Sequence, residues 1–173
     1  MIQEDILTRF ITKEKFFLYA LKFTALLGIS VAAPFFHFQA LTGTIVNAAL
    51  IMAVIMLGRK EAITIGIFPS LISIVTGLLV PAAQPLVPFI ILSNIILILV
   101  VGFSGKENYW EGVISGSILK FGFLSVSGII LVKVFEFDSM SKIIAMMFSW
   151  QQLLTALSGG VVAYGALKIL KKI

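Results

Sequence analysis

The residues of this chain that could do chemistry are neutral hydrogen-bonding side chains set in strongly apolar segments. In hydrocarbon an amide costs several kcal/mol unless it has a hydrogen-bond partner, so these groups should face away from lipid. Their chemistry is recognition of a small molecule by hydrogen bonds, with one lysine adding a charge. The candidate contacts are Gln39, Thr42, Asn47, Gln84, Asn94, Lys120, Trp150, Gln151, Gln152 and Thr155.

These polar groups allow two interpretations, a binding pocket or hydrogen bonds that hold helices together. Interhelical bonds of this kind contribute about 1 kcal/mol each and would be scattered through both leaflets. On the topology given below, Asn and Gln are absent from the cytoplasmic halves of all the predicted spans, which favours a pocket that opens outward. Gln151 and Gln152 point about 100° apart on a helix, so at most one of them should face the pocket centre.

Lys120 is the one charged residue near the middle of a predicted span, in the stretch "SGSILKFGF". It has two interpretations that the sequence leaves open. The ammonium could be the counter-charge for an anionic ligand group at the pocket floor, or it could snorkel to the cytoplasmic interface. His37, the only histidine, is likewise either a ligand contact or a solvated interfacial residue.

The sequence contains few of the residue combinations that catalysis needs. Acid–base and nucleophilic mechanisms need paired carboxylates, or a histidine with a carboxylate or serine. The chain has one histidine and no cysteine, and the predicted spans contain no Asp or Glu except Glu111 at a cytoplasmic end. We therefore predict a protein that is not an enzyme, with no catalytic residues, no metal site and no cofactor.

The composition indicates that these polar groups belong to a membrane protein. Of the 173 residues, 60% are hydrophobic and 12% are charged, and the mean hydropathy is +1.11. A soluble domain has about 45–50% apolar and about 25% charged residues. We predict an all-α integral membrane protein with one domain, residues 1–173, in which a cytoplasmic segment 1–15 precedes a compact bundle of six transmembrane helices. The predicted spans are residues 16–33, 43–57, 62–80, 86–103, 110–135 and 143–167.

The distribution of Lys and Arg predicts the orientation of the bundle. One side receives Arg9, Lys13, Lys15, Arg59, Lys60, Lys106, Lys168, Lys171 and Lys172, and the other receives Lys133 and Lys142. Because cytoplasmic loops carry the excess of positive charge, both termini should be cytoplasmic. The outer loops are then residues 34–42, 81–85 and 136–142. The net charge of +5 follows this membrane pattern and does not indicate nucleic acid.

The first predicted span carries a stripe of small residues, Thr24, Gly28 and Ala32, at four-residue spacing. Small residues in register let another helix approach closely, which is the usual packing device in lipid. The stripe could bind another membrane subunit or pack inside the bundle. The sequence leaves both open.

The chain resembles the substrate-binding S component of energy-coupling factor (ECF) vitamin transporters. The resemblance covers nearly the whole chain and includes "QALTGTIVNAAL" after the first outer loop, "PAAQPLVPFIILSN" opening the fourth helix, and "WQQLLTALSGG" in the last. In that family a stripe of the Ala-xxx-Ala type on the first helix docks on the transmembrane T subunit. The matching positions here are Thr24, Gly28 and Ala32, which depart from a strict alanine pair.

The resemblance implies a function at the prokaryotic plasma membrane. The chain would capture a small water-soluble vitamin or related micronutrient from outside and deliver it together with a T subunit and, through it, two ATPase subunits. Residues 39–47 would form part of a lid and wall over the pocket, with Phe35, Phe36 and Phe38 as its aromatic lining. The chain contains no "GxxxxGK[ST]", so ATP hydrolysis falls to the other subunits.

Two other functions remain open from the sequence. A small membrane scaffold would assemble a larger complex without binding a solute, and a self-sufficient channel or carrier would work without partners. The spans lack the ionisable relays that ion coupling usually uses, which disfavours the channel or carrier. A closed cavity in the outer leaflet would support the binding subunit, whereas a solid core would support the scaffold.

Overall fold

The computed structural model describes residues 2–79, 81–135 and 148–173, and every regular element within them is helical. This confirms the all-α class for the described part of the chain. Two 3-10 segments, Ala33–Phe36 and Pro81–Leu86, lie between the α-helices. The α-helices are α1 Ile2–Ala32, α2 Gln39–Met56, α3 Arg59–Val75, α4 Val87–Ser104, α5 Tyr109–Phe135 and α6 Gln151–Ile169.

Within the described residues, five helical segments are long and apolar enough to cross a membrane. They are Lys13–Phe36, Gln39–Met56, Ala83–Ser104, Tyr109–Lys133 and Gln151–Ile169. Helix α3 has 17 residues, which gives it a length of about 25 Å at about 1.5 Å per residue. A bilayer core is about 30 Å thick, so α3 alone is shorter than a full crossing.

The first half of the chain differs from the predicted boundaries at three points. Helix α1 runs without a break through residue 15, because no proline interrupts the sequence before Pro34. Helix α2 begins at Gln39, four residues before the predicted start of the second span. Helix α3 ends at Val75, and Gly77 with φ +70° follows in a left-handed conformation, so the predicted third span of 62–80 is too long.

The second half follows the predicted boundaries more closely. Helices α4 and α5 each begin within one residue of the prediction, and α4 has a proline in its first turn, where the missing N–H costs nothing. Helix α6 is the exception: residues 148–150 form a turn, so the helix begins at Gln151 and not at the predicted residue 143, and it ends at Ile169. The predicted outer loop 136–142 and the start of the sixth span, 143–147, lie outside the described residues.

One end of the bundle is tightly packed, and we call it the closed end. It contains the ends of α2, α4 and α6 and the turn at residues 105–108. A β-carbon added at Gly159 of α6 would lie 2.7 Å from the β-carbon of Asn47 and 2.9 Å from the amide nitrogen of Ala48. Helix α6 therefore lies directly against α2. The core of this end includes the buried residues Leu50, Ile65, Leu97, Ile98, Val101, Val113 and Leu167.

The opposite end of the bundle, which we call the open end, contains the two 3-10 segments and the first turn of α6. Its smaller core cluster consists of Ala83, Leu86, Leu124, Leu131 and Phe148. Helix α2 contacts α1, α3, α4 and α6 and so lies at the centre of the bundle. Polar residues on α2 consequently face neighbouring helices.

The small-residue stripe lies on the outer surface of α1. Thr24, Gly28 and Ala32 are exposed, and a β-carbon added at Gly28 would meet no atom within 4 Å. The face of α1 that packs inward carries Leu26 and Ser30 instead, and Ala33 of the following 3-10 segment is buried beside them. The interpretation in which the stripe packs inside the bundle is therefore wrong for the described structure.

Candidate functional site

A cavity of about 400 Å³ lies between the helices at the open end. All of the α-helices except α1 contribute side chains to it, and the 3-10 segment that follows α1 closes one side. The apolar part of its wall includes Phe38, Val46, Pro69, Leu79, Val87 and Ile90. The polar part consists of His37, Gln39, Thr42, Asn47, Ser70, Ser73, Asn94, Lys120 and Gln152.

Lys120, Asn47 and Asn94 form a buried polar group at this cavity, which we call the Lys120 cluster. The ammonium of Lys120 donates hydrogen bonds of 2.7 Å to Oδ1 of Asn47 and 2.7 Å to Oδ1 of Asn94. The three side chains come from α5, α2 and α4 and are at most 4% exposed. Lys120 therefore faces the inside of the bundle, and the interpretation in which it snorkels is wrong.

The hydrogen bonds of the Lys120 cluster fix the orientation of both amides. A lysine ammonium can only donate, so each asparagine must present its oxygen to Lys120 and turn its nitrogen away. The amide nitrogen of Asn94 then donates to the carbonyl oxygen of Gly66 in α3, at 3.3 Å. Asn94 is thus held by protein partners on both sides, and it positions Lys120.

The electrostatics of the cavity are dominated by one positive charge. No Asp or Glu is among the described residues that line the cavity. Amide oxygens compensate an ammonium only in part, because burying an unpaired ion costs several kcal/mol even after relaxation. The described part of the wall offers hydrogen-bonding groups and one charge within a mostly apolar surface, which are the groups that small-ligand sites use.

Six of the ten residues that the sequence indicated line the cavity. They are Gln39, Thr42, Asn47, Asn94, Lys120 and Gln152. The hydroxyl of Thr42 also donates to the carbonyl oxygen of Ala33 at 2.9 Å, which ties the start of α2 to the end of α1. The cavity therefore brings together groups that are far apart in sequence.

The other four residues lie away from the cavity. Gln84, Trp150 and Gln151 are exposed, whereas the neighbouring residues Ala83 and Gln152 line the cavity. Thr155 is buried, lies close to Gly43 of α2 and donates a bond of 3.2 Å to the carbonyl oxygen of Gln152. For Gln151 the reason is helical phase, because it and Gln152 face directions about 100° apart and only one can point inward.

The structure also adds two residues that the sequence did not indicate, Ser70 and Ser73 of α3, which line the cavity beside Pro69. His37, for which the sequence left a ligand contact open, is also among the lining residues and has φ +53°. Serines three residues apart next to a proline were a usable signal, but serine is common in helices and the signal is weak. Of the three phenylalanines expected in the lining, Phe38 contributes, while Phe35 and Phe36 are not among the lining residues.

The fold and this cavity define a class: a helical protein with five segments suited to cross a membrane, and a cavity with a buried lysine between its helices. No protein-family model, curated protein or solved structure matches the chain.

Proposed function

We propose that the chain is the membrane-embedded substrate-binding subunit of an ECF-type uptake transporter. It captures a small water-soluble vitamin or related micronutrient from outside and delivers it with a separate T subunit and an ATPase pair. The observation that carries this proposal is the cavity of about 400 Å³ with the Lys120 cluster in its wall. Pockets for small ligands commonly have this character, mostly apolar with a few well-placed polar groups.

The proposal includes a topology of six spans with both termini in the cytoplasm of a prokaryotic cell. In it α3 is the sixth membrane segment, lengthened by residues 76–79 of irregular backbone that lie beside the cavity, where such backbone is tolerated. Six basic residues at the closed end support the orientation, namely Arg59, Lys60, Lys106, Lys168, Lys171 and Lys172. Positive charge favours the cytoplasmic side, so the open end faces outward.

The cavity supports this function over the two alternatives. A scaffold needs no cavity, and the buried ammonium of Lys120 would cost such a protein stability without a return in binding. A self-sufficient channel needs a path through the molecule. The tightly packed closed end, where Gly159 lies against α2, separates the cavity from the other side.

The T subunit in this proposal docks on the outer face of α1. The stripe Thr24, Gly28 and Ala32 is exposed, and Gly28 leaves room for another helix to approach. Large apolar residues on α1, including Phe17 and Ile29, are 66% and 50% exposed, and they contact lipid or the partner. Neither nucleic acid nor a resident cofactor has a role.

The experiment that tests the proposal is identification of a solute by mass spectrometry after purification in mild detergent. The solute's binding is then measured by calorimetry, and its uptake by the complex is measured in vesicles. Recovery of a stoichiometric micronutrient supports the binding subunit. A protein that carries no solute, and whose melting temperature no micronutrient raises, would be a scaffold.

The docking face is tested separately with Gly28→Leu. A leucine there blocks close helix approach, whereas its β-carbon meets no described neighbouring atom within 4 Å, so binding of the solute should persist while uptake by the complex fails. Gly165→Leu is the matched control, since Gly165 of α6 also has no neighbouring atom within 4 Å. Normal uptake by Gly28→Leu would place the partner elsewhere.

A further inference from the structure

We propose that the solute is a monoanion whose carboxylate binds at the Lys120 cluster, with its uncharged body directed toward the open end. This inference rests on the proposed function, because it names the class of substrate for the same cavity. It is carried by three observations: the hydrogen-bond donors that the cluster leaves available, the charge of the cavity wall, and the apolar character of most of that wall.

The available hydrogen-bond groups of the cluster are donors. An ammonium has three N–H groups, and two of those on Lys120 are donated to Asn47 and Asn94, so a third remains for a molecule in the cavity. The amide nitrogen of Asn47 donates no bond to any residue in the described part of the chain. A ligand at this position therefore meets N–H groups from two side chains, which suits an acceptor such as a carboxylate.

The charge of the wall requires an anionic ligand and limits the magnitude of the charge that this ligand carries. With no carboxylate among the described lining residues, the positive charge of Lys120 has no partner in the empty cavity. An anionic ligand offsets the desolvation cost of that charge, and the pair gains from the low dielectric of the site. A single negative charge neutralises a single ammonium. A phosphate dianion would leave a net charge buried, so the geometry favours a carboxylate.

The rest of the cavity wall indicates what kind of molecular body the solute has. Phe38, Val46, Pro69, Val87 and Ile90 surround an apolar region of the cavity. Gln39, Thr42 and Gln152 add polar groups from the first turns of α2 and α6, closer to the open end. A compact body with apolar faces and one or two uncharged polar groups fits this arrangement. The cavity volume lies within the usual range for small-ligand sites, about 300–1,000 Å³.

A purely structural lysine is the competing explanation, and it has different consequences. If Lys120 only held α2, α4 and α5 together, carboxylates and their neutral amides would be equivalent for the protein. Replacing it by methionine would then leave the oxygens of Asn47 and Asn94 without their donor and lower the melting temperature, with no change in any preference between carboxylates and amides. If it is the anion site, the replacement removes a preference for charge.

The experiment compares isosteric pairs of probes on the purified full-length protein. Acetate and acetamide, benzoate and benzamide, and nicotinate and nicotinamide differ in charge at nearly constant shape. Melting temperature is measured over a concentration series of each probe up to tens of millimolar. We expect at least one carboxylate to bind about tenfold to a hundredfold more tightly than its amide, which is the effect of a charge-assisted hydrogen bond.

The variants locate this preference. Lys120→Gln keeps hydrogen-bond donors and removes the charge, so the carboxylate should lose its advantage over the amide. Lys120→Met serves the same purpose if the glutamine variant does not fold. Lys106→Met, at an exposed turn of the closed end, removes a charge of the same kind away from the cavity and should behave as the wild type.

The outcomes separate this inference from the proposed function. Three outcomes would each overturn the anion site without contradicting the proposed binding subunit. They are binding of amides as tight as that of carboxylates, a preference for carboxylates that persists in Lys120→Gln, and a co-purified solute that is neutral. Tighter binding of methyl phosphate than of every carboxylate would overturn the monoanion. No stabilisation by any probe, together with no co-purified solute, would contradict both.

Discussion

The same helices pack closely at the closed end of the bundle and surround a cavity at its open end. Where the cavity ends, α6 lies directly against α2 at Gly159, and toward the closed end the hydroxyl of Tyr109 donates to the carbonyl oxygen of Gly160 at 2.7 Å. The rings of Trp110 and Tyr164 pack beside Tyr109, with centroids 5.0–5.5 Å apart. At the open end Gln39 of α2 and Gln152 of α6 line a cavity. Rigid packing at one end thus positions binding groups at the other.

The distribution of proline accounts for part of this difference. All five prolines, residues 34, 69, 81, 85 and 88, lie in the half of the bundle that contains the open end. Proline cannot continue a helix or donate a backbone hydrogen bond, so it ends α1 and produces the 3-10 segment before α4. Irregular backbone is tolerated at membrane depth where it lines a cavity. The closed end, free of proline, keeps regular helices that can pack closely.

The largest expected effect concerns which end faces outward. The chain has no cysteine, so single cysteines can be placed without a background. Gln84→Cys, exposed at the open end, should react with a membrane-impermeant maleimide on intact cells. Lys106→Cys should react only after permeabilisation, and Lys60→Cys likewise. Within the predicted outer loop 81–85, Gln84 is chosen over Ala83 because Ala83 is fully buried.

Labelling of Lys106→Cys on intact cells would reverse the orientation of the bundle. It would place the open end in the cytoplasm and would remove the basis for uptake from outside. Labelling at both Gln84→Cys and Lys106→Cys on intact cells, with a cytoplasmic marker protein left unlabelled, would contradict a bundle that separates two compartments.

The second prediction tests the rigidity of the closed end. Gly159→Ala introduces a methyl group 2.7 Å from the β-carbon of Asn47 and 2.9 Å from a backbone nitrogen, which cannot move aside alone. Overpacking of this kind costs about 1–3 kcal/mol, so the melting temperature should fall by several degrees. Gly165→Ala on the same helix meets no atom within 4 Å and should be neutral or slightly stabilising. Equal melting temperatures for the two variants would show that α2 and α6 are not tightly packed.

The third prediction concerns the link between the cavity and its support. Asn94→Ala removes an acceptor of Lys120 and the donor to the carbonyl oxygen of Gly66. The ammonium of Lys120 is then held by Asn47 alone and is no longer fixed in position for the solute, so affinity for the identified solute should fall roughly tenfold to a hundredfold while the fold persists. Asn108→Ala, at an exposed turn, is the control. Unchanged affinity with a lowered melting temperature would make Asn94 a packing residue only.

The smallest expected effect separates two neighbouring glutamines at the open end. Gln152 lines the cavity, and Gln151 is exposed. Gln152→Ala should weaken solute binding by about two- to tenfold, the effect of one neutral hydrogen bond, whereas Gln151→Ala should bind as the wild type. Calorimetry on the two variants makes the comparison. A larger loss from Gln151→Ala would mean that α6 is rotated relative to this structure.

The types of side chain in the site were largely predictable from the sequence, whereas the individual residues that line the cavity were not. Asn47, Asn94 and Lys120 stand out in sequence because amides and an ammonium are rare in apolar segments and need partners. Gln84 and Trp150 have equally suitable chemistry but lie outside the cavity, and Ser70 with Ser73 lies in its wall. The position of a residue along a helix can be read from the sequence. The rotation of that helix toward its neighbours cannot be read from the sequence, because it depends on tertiary packing.

By itself, the sequence determined the helical class, the segments apolar enough to cross a membrane, the break before Pro34 and the inventory of polar groups. These follow from local properties, namely hydropathy over about twenty residues, the missing N–H of proline and the cost of placing an amide in hydrocarbon. The tertiary structure alone decided that Lys120 of α5 bonds to residues 73 and 26 positions away in sequence. It also decided that the stripe on α1 faces outward. Both depend on how each helix rotates about its axis, and packing against neighbouring helices sets that rotation.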